Sequence, residues 1–202
     1  MADTMSTEDR KRIDEGLQQK YAKVARSPEG NFRYPTGRAG LEGLKYDLQF
    51  IDRLSEDVQS SYCGVGNPFS LGPVNEGETL LDIGCGGGVD TMLAAMLVGP
   101  QGRAVGIDFI PEMLERAREN VSRSGLTNVI LEQGSGEALP FGDESFDVVI
   151  SNGVFNLIPD KRRAAKEVFR VLRSGGRLMV ADQVLTGAPP ADTARMVDTW
   201  AG

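Results

Sequence analysis

A glycine-rich turn near the middle of the chain constrains the fold more than any other feature of the sequence. It follows residues 80–83, a short apolar run typical of a buried parallel strand. Glycines at 84, 86 and 88 allow a sharp turn and let the backbone approach a ligand without a side-chain clash. The apolar stretch 89–98 predicts a helix whose amino end faces that ligand.

A carboxylate follows the next predicted strand, residues 104–107. Asp108 stands 20 residues beyond Gly88. At the end of a strand, a carboxylate can accept hydrogen bonds from both hydroxyls of a ribose. The order of strand, glycine turn, helix, strand and acid predicts a nucleoside-binding β–α–β unit.

Several kinds of nucleoside site share such a turn. The dinucleotide fingerprint has its third glycine where this chain has Val89, which disfavours an NAD-dependent oxidoreductase. The phosphate-binding loop needs a lysine after its glycines, and none occurs between Lys45 and Lys161. Asp82, just before the glycines, would repel a pyrophosphate and suits a cationic ligand. S-adenosylmethionine, with a ribose, an ammonium and a sulfonium, fits this combination.

Five motifs resemble, in the same order, those of the class I S-adenosylmethionine-dependent methyltransferases. They are residues 82–88, 106–114, 134–141, 146–152 and 168–178. The resemblance implies S-adenosylmethionine as the cofactor and an α/β, Rossmann-like sheet with parallel strands in the order 3-2-1-4-5. No metal is expected.

The resemblance also implies a set of cofactor contacts. Asp82 and the glycine turn would hold the amino-acid end, Asp108 the ribose, and Gly136 with Glu137 the rim of the adenine. The full set is Asp82, Gly84, Cys85, Gly86, Gly88, Asp108, Phe109, Met113, Gly136, Glu137 and Ser151. The motif at 134–141 usually has an acid or amide at its second position, which is Ser135 here, so the sequence does not assure a side-chain contact to the adenine amine.

The reacting centre is expected where the fourth strand ends. Asn152 would border it beside Ser151, and Tyr62 with Cys63 would close it; Asn152, Tyr62 and Cys63 are therefore the predicted catalytic residues. The chain has no histidine, which excludes histidine-based nucleophilic machinery and histidine-ligated metal sites. Methyl transfer needs neither, because it depends mainly on in-line positioning of nucleophile and methyl group.

The segment 62–68 resembles the Tyr-Gly-Cys-Gly segment of the arsenite methyltransferases, which bind arsenic through cysteine thiolates. The cysteines of that family fall on Val65 and Gly153 of this chain, and Cys63 could replace only the first. We therefore expect a small-molecule acceptor, with arsenite methylation as the alternative. A cofactor-binding module without turnover is the alternative from another class.

Along the chain we expect an N-terminal helical lid, residues 1–78, and a cofactor-binding domain, 79–202. Residues 27–40 predict a loop. Residues 111–122 predict a helix that buries Met113, Leu114, Ala117 and Val121, and residues 159–172 predict a helix stopped by Gly175 and Gly176 before a strand at 177–181.

The fifth predicted strand would be an apolar edge. Family members add two further strands after it, but only 20 residues follow Asp182, with one helix predicted over 191–200. Unpaired edges are a risk for aggregation. We therefore expect either a truncated chain or a strand covered by another subunit of a homodimer.

Composition limits the partners. The net charge of −7 argues against nucleic acid, which needs clustered Lys and Arg. No apolar run approaches the length of a membrane span, and no leader precedes a cleavage site, so a cytoplasmic location is expected. Two cysteines do not form a disulfide framework.

Overall fold

In the computed structural model, residues 5–184 and Trp200 are described. Five parallel strands form one sheet, flanked by helices on both faces. The strands are β1 (Thr79–Ile83), β2 (Arg103–Asp108), β3 (Val129–Gln133), β4 (Phe146–Asn152) and β5 (Leu172–Ala181). The helices are α1 (Thr7–Val24), α2 (Gly37–Gly43), α3 (Leu48–Ile51), α4 (Glu56–Ser60), α5 (Val89–Val98), α6 (Pro111–Ser124) and α7 (Lys161–Val171), with a 3₁₀ helix at Pro68–Leu71.

The sheet has the order β3-β2-β1-β4-β5, which confirms the prediction. In β1 the four residues after Thr79 are all buried, and so are the last five residues of β2, as expected for strands covered on both faces. The strand order reverses between β1 and β4. Ligands of open parallel sheets bind beyond the carboxyl ends of the strands at such a reversal.

The helix ends follow local signals that the sequence carries. The Ser6 hydroxyl accepts a hydrogen bond from the backbone of Asp9 at the start of α1, and Ser55 caps α4 in the same way. Helix α6 begins with Pro111 and ends at Gly125, which is left-handed (φ 73°). Along α1, the buried residues Ile13, Leu17 and Val24 hold the helix against the body of the molecule.

Helix α7 ends within one residue of its predicted end, but the prediction that Gly175 and Gly176 stop it and that the strand begins at 177 was wrong. The helix stops at Val171, and Gly175 and Gly176 lie inside β5. The register explains why: Phe146 pairs with Leu172, whereas Val148 pairs with Arg177, so β5 carries extra residues. A Cβ on Gly176 would lie 2.9 Å from the Arg173 carbonyl oxygen and 3.0 Å from that of Asp147. The glycine pair therefore forms a bulge in the strand.

Two smaller expectations also differ. Helix α2 lies partly inside the predicted loop 27–40. In α6 Asn120 is fully buried, while Val121 is only partly buried. The Asn120 Nδ2 donates to Ser61 Oγ at 2.9 Å and to the Gly87 carbonyl at 2.8 Å, which compensates the burial of that nitrogen, whereas the buried Oδ1 has no partner among the described residues.

Strand β5 pairs with β4 alone within the described part of the chain. Its Leu178 is 46% exposed, whereas Met179 is buried. The helix predicted over 191–200 lies outside the described residues except for Trp200, whose indole N–H donates to the Leu157 carbonyl at 2.7 Å. None of the described helices combines the length and apolarity that crossing a membrane requires.

Gly88 packs against α6. Its φ is 81°, and an added Cβ would lie 3.1 Å from the Cβ of Ala117. This glycine therefore lets the start of α5 approach α6 closely.

We expect Gly88→Ala to destabilise the fold more than Gly125→Ala does. Both positions are left-handed, which costs an alanine about 1–2 kcal/mol, but nothing lies within 4 Å of a Cβ on Gly125. Overpacking against Ala117 should add about 1–3 kcal/mol for Gly88→Ala. Urea unfolding of both variants measures the difference, and equal losses would contradict this account of Gly88.

Candidate active site

A cavity of about 260 Å³ opens at the carboxyl ends of β1, β2 and β4, beneath α1. Its floor is formed by backbone. Gly84 (φ 74°) and Gly86 (φ 53°) are left-handed, and a Cβ on Gly84 would collide with the Val154 side chain at 2.3 Å. The amides of Gly84 and Cys85 both donate to the Ile107 carbonyl, at 2.8 and 3.0 Å, and fix the turn against β2.

Two backbone amides hold the Asp108 carboxylate in place at the wall of this cavity. The carboxylate accepts hydrogen bonds from the Gly86 amide at 2.8 Å and from the Ile110 amide at 2.9 Å. Burial raises the pKa of Asp108 to about 6, and the backbone hydrogen bonds oppose that rise. At neutral pH the group is therefore mainly an ionised acceptor.

A smaller cavity of about 40 Å³ adjoins the glycine turn and contains two further carboxylates. Asp82 accepts a hydrogen bond from the Thr91 hydroxyl at 2.6 Å. Burial raises its pKa well above the usual range, and nearby Asp90 raises it further; burial likewise raises the pKa of Asp90. Two buried carboxylates side by side suit a cationic ligand.

Asn152 is held by hydrogen bonds within the protein. Its Oδ1 accepts from the amides of Val65 and Gly66 at 2.9 and 3.0 Å. Its Nδ2 donates to Asp90 at 2.9 Å and to the Gly66 carbonyl at 2.8 Å. The side chain thus clamps the segment 62–67 to β4, and both its donor and its acceptor atoms are already engaged.

Sequence reasoning missed Asp90. Its second carboxylate oxygen accepts from the Tyr46 hydroxyl at 2.8 Å, so it joins α5, Tyr46 and Asn152. The available signal was one acid in the first turn of an otherwise almost wholly apolar helix.

Tyr62 and Cys63 lie on the clamped segment. The Tyr62 hydroxyl donates to the Gly66 carbonyl at 2.9 Å, and burial raises its pKa. Cys63 borders both cavities. Burial raises the pKa of its thiol to about 12, so it is a thiol rather than a thiolate at neutral pH.

One face of α1 roofs the larger cavity. Arg10, Asp14, Leu17 and Tyr21 recur at helical spacing and line it. Arg10 forms an ion pair with Glu137, whose other oxygen accepts from the Asp160 amide at 2.8 Å. The sequence predicted a lid in this region, but it did not predict any of these four side chains as site residues.

The predicted site residues fall into three groups. Those lining the larger cavity are Cys63, Gly84, Gly86, Asp108, Phe109, Met113, Gly136, Glu137 and Asn152. Tyr62, Asp82 and Cys85 border only the smaller one. Gly88 and Ser151 line neither: Gly88 faces α6, and the buried Ser151 hydroxyl donates to the Ile83 carbonyl at 3.0 Å. The described residues contain no cluster that could hold a metal ion.

Comparison with known proteins agrees with this geometry. Residues 74–200 match the family described as a methyltransferase domain. An arsenite methyltransferase of Halobacterium salinarum is 41% identical over 167 residues, which make up 83% of this chain and 42% of that protein. A demethylmenaquinone methyltransferase of Listeria monocytogenes is 40% identical over 110 residues, or 54% of this chain and 46% of that protein.

A solved structure shows the same fold. An arsenic(III) S-adenosylmethionine methyltransferase from Chlamydomonas reinhardtii superposes with a TM-score of 0.56 at 35% identity, over 74% of this chain and 50% of that one. The chain spans less than half the length of both curated relatives.

We expect Asn152→Ala to release the segment 62–67. The amides of Val65 and Gly66 lose their acceptor and should exchange hydrogen faster, while amides within β1 keep their protection. Asn152→Asp keeps an acceptor for both amides but places a carboxylate beside Asp90. That variant should retain protection at the two amides and lose global stability as the pH rises, because two adjacent carboxylates are tolerated only while they share a proton.

Asn156→Ala is the matched control, since it removes the same side chain four residues further on. Exchange measured by mass spectrometry or NMR would contradict the clamp if Asn152→Ala and Asn156→Ala gave the same pattern.

Proposed function

The chain belongs to the methyltransferase-domain family, and on this premise we propose that it binds S-adenosylmethionine beneath α1 and transfers the methyl group to a small-molecule acceptor. The observation that carries the proposal is the Asp108 carboxylate, held at the end of β2 by the amide of the glycine turn. A buried, ionised acceptor beside a glycine turn is what recognition of a ribose requires.

The other residues fit the cofactor in chemistry and in space. Asp82 and Asp90 would receive its ammonium group in the smaller cavity. Gly84 and Gly136 line the larger cavity with backbone alone, and a Cβ on Gly136 would lie 2.9 Å from the Ile158 side chain. The cofactor supplies a methyl group on a good leaving group, so the chain needs only to bind it, orient it and exclude water.

The acceptor side of the cavity favours an uncharged, largely apolar molecule. Leu17, Tyr21 and Tyr34 of the lid face Val154 and Leu157 there. Arg10 is the one cation among the described lining residues, and its charge is paired with Glu137. An anionic acceptor would therefore meet no free positive charge on these residues.

Arsenite methylation is the second candidate, because the Halobacterium salinarum relative has that name and the Chlamydomonas reinhardtii structure is of an arsenic(III) enzyme. The positions where that family has cysteines do adjoin here: the methyl groups of Val65 lie 3.2 and 3.3 Å from a Cβ built on Gly153. Neither carries a thiol. Cys63 and Cys85 border the smaller cavity, and burial raises the pKa of both.

The setting of the site completes the proposal. Residues 1–78 would act as a lid on the acceptor side and 79–202 as the cofactor-binding domain. The net charge of −7 supports action on small molecules rather than on nucleic acid. The proposed location is the cytoplasm. We also propose a homodimer in which the other subunit covers β5.

We expect Asp108→Ala to weaken binding of S-adenosylhomocysteine by about 1.5–3 kcal/mol, through loss of charged hydrogen bonds to the ribose. In the parent, ribose hydroxyls stabilise the ionised carboxylate, so binding lowers the pKa of Asp108. Affinity should therefore be full above a pH of about 6 and fall as the pH drops below it.

Calorimetry across this pH range measures both effects, with Asp143→Asn, an exposed acid, as the control. Unchanged affinity in Asp108→Ala, or tighter binding of NAD than of the cofactor by the parent, would refute the assignment. Binding without S-adenosylhomocysteine release from any acceptor in a broad screen would favour the non-catalytic module.

We expect no appreciable methylarsenical from arsenite, cofactor and added thiol, because a soft metalloid needs converging thiolates. Chromatography of the reaction mixture provides the measurement. If product forms and Cys63→Ser abolishes it while Val65→Ala does not, arsenite methylation replaces the small-molecule proposal.

A further inference from the structure

The adenine end of the cavity lacks the acid that its motif usually carries. Ser135 stands at that position, and its hydroxyl oxygen accepts from the Glu137 amide at 3.2 Å within a tight turn. Glu137 has both carboxylate oxygens engaged, one by Arg10 and one by the Asp160 amide. The motif itself therefore offers no free carboxylate to an adenine amine.

A carboxylate reaches this end of the cavity from the lid. Asp14 lies one helical turn after Arg10 on α1 and lines the same cavity as Ser135, Gly136 and Glu137. Its charge interacts with both Arg10 and Glu137, so it lies near the ion pair that borders the adenine rim. Partial burial is the main cause that raises the pKa of Asp14, and the positive charge of Arg10 opposes that rise.

The carboxylate of Asp14 also has unused capacity. Within residues 5–184 and Trp200, no group donates a hydrogen bond to it. It is only partly exposed, at the wall of the cavity beside Arg10 and Glu137. A partly desolvated acceptor without a donor gains most from a ligand that brings one.

We propose that Asp14 accepts a hydrogen bond from the 6-amino group of the cofactor's adenine, in place of the acid missing at position 135. The inference rests on the proposed function, because it assumes that the cavity binds S-adenosylmethionine. Asp14 then determines base specificity: a 6-oxo base would present an acceptor to a carboxylate and be repelled.

The test compares three ligands by calorimetry: S-adenosylhomocysteine, its analogue with hydrogen in place of the 6-amino group, and its inosine analogue. The parent should bind the adenine form about tenfold or more tighter than the deaminated form, as for a hydrogen bond to a charged group. Asp14→Ala should lose about the same factor for the adenine form and little for the deaminated form. Asp14→Asn, which keeps an acceptor oxygen, should lie between them.

Two further variants separate recognition from folding. Glu15→Ala removes an exposed acid from the same helix and should leave all three affinities unchanged. Adding Ser135→Asp to Asp14→Ala should restore the preference for the adenine form, because it returns an acid to the motif position. A merely structural role of Asp14 would not be rescued in this way.

Failure of the proposed function and failure of the inference about Asp14 give different results. If the parent fails to bind S-adenosylhomocysteine, the proposed function itself fails. If the parent binds it and Asp14→Ala has no effect, or weakens the adenine and deaminated forms equally, Asp14 does not recognise the amine and the inference is overturned. Circular dichroism of each variant confirms that it is folded.

Discussion

The carboxylate of Asp108 connects the parts on which the site depends. It lies at the end of β2, yet it binds the amide of Gly86 in the turn that follows β1. The turn is left-handed at Gly84, Gly86 and Gly88, and this hydrogen bond helps to hold it in that shape. The same group faces the cavity, so one buried charge both shapes the floor and presents an acceptor to the ligand. Its burial is tolerable because backbone amides solvate it.

Helix α1 is attached to the rest of the molecule by two kinds of contact, apolar packing and a charge pair. Apolar packing holds the body of α1, but over the adenine end the contact is a charge pair between Arg10 and Glu137. The Arg10 side chain is about 38% exposed, so solvent and salt screen its attraction. Helix α1 is therefore held firmly along its apolar face and only weakly at its polar end.

The strand order was predicted from the resemblance to the methyltransferase family, whereas most element boundaries were predicted from the short-range signals of strands and capped helices. The wrong prediction at Gly175 and Gly176 shows where local sequence signals fail. A glycine pair after a helix usually ends it, and only the pairing of β5 with Phe146 and Val148 shows that a bulge is formed. Pairing partners cannot be read from local pattern.

In the site, Asp82 and Asp108 could be identified because they adjoin glycines at strand ends. Asp90 and the lid residues could not, since their roles arise from contacts across about 40 to 130 positions of sequence, such as Tyr46 with Asp90 and Arg10 with Glu137. Asn152 was predicted to be a catalytic residue, and in the structure its hydrogen bonds hold the neighbouring segment 62–67.

Because Val65 and Gly153 lie next to each other, substitutions at these two positions are expected to occur in a particular order. A side chain at 153 must tolerate a left-handed backbone and two methyl groups at 3.2 and 3.3 Å. A first step at 153 would therefore cross a strained intermediate, whereas a smaller residue at 65 opens the space beforehand. Lineages that exchange one acceptor chemistry for another through this pair would be expected to change position 65 first, because a change at 153 alone would pass through a more crowded intermediate.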